Sequence, residues 1–478
     1  MNYPNTLLYI NGSWRQASDE KTLAIISPAD GSIIGSVASA SIDDLDLALG
    51  AASQGFLVWK DTPAFTRAKV MRQAATLIRE RFESIAHLMT LEQGKPLAES
   101  RAETIAAADV IDWFASEALR TYGRVIPSRS RHVAQMVIRE PVGPVAAFAP
   151  WNFPLNQIVR KICAALAAGC SIIAKAPEET PASPAALVQA FADAGVPPGV
   201  LNLVFGDPAQ ISSYLIAHPV IQKVTFTGST PVGKQLAGMA GIHMKRMSME
   251  LGGHAPVIVC ADADISVAAQ TMAASKFRNA GQVCISPTRF LIQASVYERF
   301  ASEFVTHAKA IRVGHGLSAD TGMGPLANSR RLAAMKAFTD DAIACGAELL
   351  CGGEQIGVQG CFFQPTVLGH VPATARAMNE EPFGPLALLS SFEELDDALT
   401  EANRLPYGLA SYAYTTSSAT AHRLIQGIES GMLSINHAGL ALPETPNGGI
   451  KDSGHGAEGG SEAIENYLNS KFVTQANA

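Results

Sequence analysis

Charge is scarce in this chain of 478 residues: Asp, Glu, Lys and Arg together make up 17%. The basic ones do not predominate, since 36 Lys and Arg face 43 Asp and Glu. A net charge of −7 without basic clusters argues against a nucleic-acid partner. Long apolar runs are missing too. The longest, Ile162 to Ala174, has 13 residues and contains Gly169 and Ser171. A spanning helix needs about 20 apolar residues, so this run reads as protein core and no membrane partner is expected. The first residues, Met1 to Trp14, lack the basic start, apolar stretch and small-residue site of a signal peptide. Seven scattered cysteines with no Cys-x-x-Cys pair fit neither a disulfide framework nor a structural zinc site. Repeats, low-complexity segments and Pro/Gly/Ser-rich linkers are absent. What is abundant is apolar residue, 47% of the chain, which supports a large core and excludes general disorder. At roughly 150 residues per domain the length suggests about three structural units. The expectation is a large cytoplasmic enzyme.

The hydrophobic pattern divides the chain. Ala64 to Leu91 and Arg101 to Tyr122 carry apolar residues at helical spacing, and each run ends near a glycine, Gly94 and Gly123. Arg124 to Pro141 reads as extended. From Val145 strands and helices alternate: strand Val145–Ala149, helix Pro154–Ala168, strand Ser171–Lys175 and helix Ala182–Ala194, continuing through Val200–Val204, Pro208–Ala217 and Lys223–Thr227. This alternation predicts parallel βαβ units, with ligands at the carboxyl ends of the strands. A second alternating set runs from Pro256–Cys260 to about Ile435, with helices at Ile265–Phe277, Val296–Ile311, Arg330–Cys345 and Leu395–Ala402. The tail, Lys471 to Gln475, is extended again. Two α/β lobes and two isolated extended segments are expected.

Three motifs point in false directions. Gly228-Ser229-Thr230-Pro231-Val232-Gly233-Lys234 follows a strand and opens a helix, as a P-loop does. Gln235 then stands where a magnesium-binding hydroxyl is required, and Pro231 removes an amide donor. What survives is a glycine turn at a helix N-terminus, suited to a phosphate. Gly454-His455-Gly456-Ala457-Glu458-Gly459 has dinucleotide-fingerprint spacing, but Lys451-Asp452-Ser453 precede it in place of a strand, so it reads as a turn. His254 beside Gly252-Gly253 has no second ligand at useful spacing, and no metal is expected.

Cys284 has a different setting. It follows a helix and the loop Asn279-Ala280-Gly281-Gln282, and it precedes the strand Thr288–Ile292. A lone cysteine is ordinarily a small buried hydrophobe; one after a glycine loop at an element boundary can be reached by substrate. Glu250 follows the strand-like Lys245–Met249 directly before a glycine pair, and Asn152 lies between a buried strand and Pro154. A solvated glutamate and a helix-capping asparagine are the plain alternatives. Spacing alone does not bring these three residues together.

Five separated segments carry a family resemblance: Pro150-Trp151-Asn152-Phe153-Pro154, Phe226-Thr227-Gly228-Ser229, Glu250-Leu251-Gly252-Gly253, Gly281-Gln282-Val283-Cys284 and Glu381-Pro382-Phe383-Gly384-Pro385. In these, over nearly its full length, the chain resembles the aldehyde dehydrogenase superfamily. Phe277–Gln282 and Lys175–Pro181 make it most similar to the bacterial branch of 2-oxoglutarate-semialdehyde (2,5-dioxopentanoate) and succinate-semialdehyde dehydrogenases.

The resemblance implies an α/β fold in three parts. These are a Rossmann-type cofactor domain (1–123 and 143–250, with part of 443–467), an α/β catalytic domain (251–442) and a small β segment for oligomerisation (124–142 and 468–478). It implies Cys284 as nucleophile, Glu250 as general base and Asn152 as oxyanion donor. Thiolate would attack the aldehyde carbon, the oxyanion would rest on the Asn152 amide and the Cys284 N–H, and Glu250 would activate water against the thioester. For the cofactor it implies Ser229 as the pyrophosphate contact, with Trp151, Gly228 and Leu251 also in the cofactor site. Lys175 and Glu178 would hold the adenosine ribose, and Glu381 and Phe383 the nicotinamide riboside. An acidic Glu178 predicts NAD as the preferred cofactor with NADP still accepted. Gln157, Arg160 and Arg278 would grip a carboxylate remote from the aldehyde. A homodimer or homotetramer is expected. Ile285 and Ser286 follow Cys284, so the paired-cysteine redox control of some succinate-semialdehyde dehydrogenases has no counterpart here.

Overall fold

The structure, a computed structural model, describes residues 3–476. Its first lobe is built on an eight-stranded sheet. Five parallel strands form the centre, in the spatial order Leu201–Val204, Ile172–Lys175, Val145–Phe148, Lys223–Thr227 and Arg246–Glu250. Counted along the chain these are third, second, first, fourth and fifth. The order therefore reverses between Val145–Phe148 and Lys223–Thr227, where a doubly wound sheet opens a ligand crevice. Every residue of these two strands is buried, as expected for parallel strands covered on both faces.

The second lobe carries a seven-stranded sheet in the order Glu348–Cys351, Thr366–Gly369, Leu386–Phe392, Pro287–Gln293, Ala255–Val259, Ala410–Tyr414 and Met432–Ile435. All its pairings are parallel except the first. One short crossing joins the lobes: Glu250 ends a strand of the first sheet and Ala255 begins a strand of the second. Carboxyl ends of the first sheet thus meet amino ends of the second.

The two orphan extended segments pair with each other. Leu468–Ala476 runs antiparallel to Val133–Pro141 over nine residues, and Arg124–Ile126 completes a three-stranded sheet. Val125 and Phe472 are exposed on it.

The helices expected from Pro154 onward keep their limits to within two residues, whereas the run Arg101 to Tyr122 is a helix at Leu97–Glu117 followed by a 3-10 turn at Ala118–Arg120. Several expectations need correction. The run Ala64 to Leu91 is two helices, Ala64–Glu80 and Phe82–Gln93, because Arg81 leaves helical geometry (φ −100°, ψ 7°) and its guanidinium pairs with Asp193 at 2.7 Å. Pro154 does not open a helix. That helix starts at Asn156, where the Glu103 carboxylate accepts the N–H groups of Leu155 and Asn156 and takes over the capping. Gly454–His455 adds a two-residue strand to the first sheet beside Met249 and Glu250. The N-terminal strands Leu8–Ile10, Ser13–Arg15, Thr22–Ile26 and Ile33–Ala38 were not expected, nor was the helix Ile42–Asp61. Its internal Gly50 and Gly55 obscure the helical signal, and Gly55 is needed because a Cβ there would meet the Gly199 carbonyl carbon at 2.3 Å.

Candidate active site

Strand register sets the cofactor side. Thr227 lies opposite Glu250, Phe226 opposite Phe148, and Phe148 opposite Lys175, so the loops that follow leave the sheet side by side. A cavity of about 470 Å³ opens there. Pro150, Trp151, Asn152 and Gln157 line it from the first loop, Gly228 and Ser229 from the glycine turn, and Cys284, Glu381 and Phe383 from the second lobe. Ser229 is the N-cap of the helix Thr230–Ile242, yet its hydroxyl makes no capping bond, which leaves hydroxyl and helix N-terminus free for an anion. Phe383 meets Trp151 edge-on, with centroids 5.7 Å apart. Glu381 accepts the Gly253 N–H at 3.1 Å, and burial pushes its carboxyl up to about 7. Lys175 and Glu178 form an ion pair one turn from the strand end. The set fits a dinucleotide: a phosphate donor group at a helix N-terminus, aromatic walls, and a carboxylate at each end.

Glycines let the lobes close on the cysteine. A Cβ at Gly252 would meet Glu381 Oε2 at 2.4 Å, and one at Gly253 would meet the Cys284 carbonyl oxygen at 2.8 Å. The residues leading to Cys284 take left-handed geometry in succession: Asn279 at φ 49°, Ala280 at φ 52° and Gly281 at φ 69°. The left-handed region costs an L-residue roughly 1–2 kcal/mol, so neighbouring groups must hold this turn. Burial pushes the Cys284 thiol up to about 12, and the Glu381 and Glu250 charges add to the effect. Deprotonation therefore needs a base close by.

Glu250 supplies a carboxylate whose charge reaches the cysteine. It is buried, and its Oε1 has no hydrogen-bond partner. Burial raises its pKa well above the carboxylate range, the Glu458 charge raises it further, and Lys161 and Arg160 oppose. Lys161 and Glu458 form a buried ion pair; Lys161 also donates to Thr227 at 2.7 Å, and Thr225 donates to Glu458 at 3.0 Å. Sequence reasoning missed this pair. Its signal was a lysine within the largely apolar helix Asn156–Ala168 and a glutamate within a glycine-rich turn, polar residues where core was expected. Asn152 donates through Nδ2 to the Gln282 carbonyl at 3.0 Å, and its Oδ1 has no partner.

The two arginines differ in kind. Arg160 is buried and donates to the carbonyls of Glu458 at 2.9 Å and Ala441 at 2.6 Å. Its charge still reaches Glu250 and Cys284. Arg278 is exposed, stacks over the Phe153 ring at 5.2 Å, and has no ion pair among the described residues. It lines a separate cavity of about 530 Å³ together with Val283 and Ile285, which flank Cys284, and with Tyr412, Ala438 and Leu440.

A sequence profile of the Aldehyde dehydrogenase family matches residues 14–473. The chain belongs to the aldehyde dehydrogenase family. It is 48% identical over 466 residues to the 4-(hydroxymethyl)benzenesulfonate dehydrogenase TsaD1 of Comamonas testosteroni, covering 98% of this chain and 97% of that one. It is 40% identical to the succinate-semialdehyde dehydrogenase [NADP(+)] GabD of Escherichia coli K12, over 97% and 96% of the two chains. The crystal structure of an NADP-dependent E. coli enzyme superposes with a TM-score of 0.97 at 40% identity, over 99% and 98% of the chains. This aldehyde dehydrogenase is accordingly an aldehyde-oxidising oxidoreductase of mixed α/β fold. No helix among its described residues is long and apolar enough to cross a membrane.

Proposed function

We propose that this aldehyde dehydrogenase oxidises a short aldehyde bearing a distal anion to the corresponding acid, by way of a thioester on Cys284. The observation that carries the reading is the convergence of Cys284, Asn152 and the glycine turn on one cavity, with Glu250 buried and its charge reaching the cysteine. Cys284 Sγ attacks the carbonyl carbon as its proton passes to a nearby carboxylate. The oxyanion then rests on the Asn152 amide and the Cys284 N–H. A nicotinamide, when bound, supplies the two-electron oxidant, held by Ser229, Glu381 and Phe383. Glu250 next takes a proton from water as it attacks the thioester and frees the thiol. A carboxyl with raised pKa is a strong enough base for that step near neutral pH. Lys161 and Glu458 lie where that proton can be passed inward.

Arg278, which has no ion pair among the described residues, is read as the contact for the distal anion, with Arg160 adding positive potential and Gln157 a polar wall. Succinate semialdehyde and 2-oxoglutarate semialdehyde are the leading carboxylate substrates. A sulfonate-bearing aldehyde is the second reading, favoured by the 48% identity to a benzenesulfonate dehydrogenase. Glu178 accepts hydrogen bonds from a ribose diol and repels a 2′-phosphate, so NAD is preferred and NADP tolerated. The free edge of Leu468–Ala476 supports a homodimer or homotetramer. Rapid-mixing assays test the chemistry. Cys284→Ala should abolish NADH formation with cofactor affinity intact, and Glu250→Gln should give one fast equivalent of NADH followed by slow turnover. Steady-state rates in Cys284→Ala equal to those of the unaltered enzyme would refute the covalent route.

A further inference from the structure

Between the helices Phe82–Gln93 and Leu97–Glu117 lies a short link, Gly94-Lys95-Pro96, wedged between the lobes. Gly94 has φ 93°, and a Cβ on it would meet Pro325 at 2.7 Å and Pro28 at 2.9 Å. From this link the Lys95 side chain runs inward and is completely buried. Its ammonium has three well-formed contacts: the Glu103 carboxylate at 2.6 Å, the backbone carbonyl of Asn152 at 2.8 Å, and the face of Phe153, whose centroid is 4.0 Å away. The Asn152 carbonyl receives a second donor, Asn279 Nδ2, also at 2.8 Å. Asn279 is the first left-handed residue of the turn that leads to Cys284. It is itself fastened from the same helices, since Gln93 donates to its Oδ1 at 2.9 Å and Glu99 accepts its N–H at 2.9 Å.

We infer that Lys95, supported by Glu103, is a positioning residue that sets the Asn152 amide against Cys284. The inference rests on the reading of Asn152 as the oxyanion donor. Two donors on one carbonyl fix the plane of the peptide after Asn152, and with it the direction of the Asn152 side chain. One of those donors belongs to the first lobe and the other to the nucleophile's turn, so the carbonyl ties the oxyanion donor to the nucleophile. Lys95 touches neither substrate nor cofactor; it lines no part of the 470 Å³ cavity. Its place is inside the protein, where an ammonium is held only if every contact is made. An oxyanion donor works at 2.7–3.1 Å, and a displacement of about 1 Å can cost roughly 100-fold in rate.

A cycle with Asn152 tests this. Lys95→Met is combined with Glu103→Gln so that no buried carboxylate is left unpaired, and the NADH burst is measured in single turnover with saturating aldehyde and cofactor. We expect the pair to slow the burst by about 10- to 100-fold, with NADH affinity by fluorescence titration changed less than about twofold. Placed in an Asn152→Ala background, the same pair should slow the burst by less than about twofold, because the group it positions is gone. An equal factor in both backgrounds, or an unchanged burst in the first, would overturn the inference. A burst in Asn152→Ala alone equal to that of the unaltered enzyme would instead remove the reading of Asn152, and this inference with it. Should the double variant fail to fold, Asn279→Gly deletes the other donor while tolerating the positive φ. Its effect should likewise vanish in the Asn152→Ala background, and persistence there would overturn the inference.

Discussion

The substrate reading can be tested through Arg278, because the structure separates it so clearly from Arg160. Arg278 carries a positive charge that makes no ion pair among the described residues, although its field reaches the Glu99 carboxylate, and it lies beside a cavity flanked by the neighbours of Cys284. A hydrogen bond from a charged donor contributes about 1.5–3 kcal/mol, which corresponds to about 10- to 150-fold in catalytic efficiency. The exposure of Arg278 places the expectation in the lower half of that range, since solvent screens the pair. Arg278→Ala should therefore lower kcat/KM for succinate semialdehyde by about 10- to 40-fold and for uncharged butanal by less than about threefold. The loss should fall mainly on KM if the anion is held equally in ground and transition states. Arg160→Ala should behave differently. It leaves the Glu458 and Ala441 carbonyls without their donor inside the protein, so both substrates should suffer. Steady-state kinetics on succinate semialdehyde, 3-sulfopropanal and butanal would decide. Equal losses on charged and uncharged aldehydes in Arg278→Ala would refute the reasoning and make that arginine structural.

Three further expectations follow from charge and burial. Glu381→Gln removes a charge that helps hold the Cys284 thiol near 12, so the pH profile of cysteine alkylation in the cofactor-free protein should move to lower pH; an unmoved profile would show that burial alone sets it. Glu178→Gln removes the charge facing a 2′-phosphate and should raise kcat/KM for NADP by about 5- to 10-fold while lowering that for NAD, and parallel changes with both cofactors would contradict the ribose assignment. Lys276 is buried, its ammonium donating among the described residues only to the Ser286 and Thr288 hydroxyls, and burial, opposed by the Glu381 charge, draws its pKa down to about 7. The unfolded chain then binds the additional proton between pH 7 and about 10.5, so this group makes stability rise with pH across that window, by at most about 1.4 kcal/mol per pH unit. Lys276→Met should flatten the slope in denaturant titrations at pH 7.5 and 9.5.

Much of this protein was legible before folding. The alternation from Val145 to Thr227 settled a parallel sheet, because strands buried on both faces must be continuously apolar and their crossovers must be amphipathic helices. Cys284, Glu250 and Asn152 were legible through short motifs at element ends, where loops carry chemistry. The N-terminal strands were not, since three- to six-residue strands give too little periodicity, and Gly50 and Gly55 disguised a helix. Periodicity alone could not show that Arg124–Ile126, Val133–Pro141 and Leu468–Ala476, so distant in sequence, form one sheet; only the family resemblance grouped 124–142 with 468–478.

Tertiary structure alone decided which charges are consumed by the fold and which are left at a cavity. Arg160 and Arg278 look alike as residues; packing spends the donors of one on backbone carbonyls and leaves the other without an ion pair among the described residues. Lys95, Lys161 and Glu458 gave no more than the hint of a polar residue among apolar or glycine neighbours. Their partners lie as far as 297 residues away in the chain, and an ion pair buried in the core is specified by the positions of several elements at once. Local sequence determines what each segment becomes, since backbone propensity and side-chain periodicity act over a few residues. Burial, pKa and the meeting of Cys284 with Asn152 at one cavity depend on what is brought across from the other lobe, and only the folded chain supplies that.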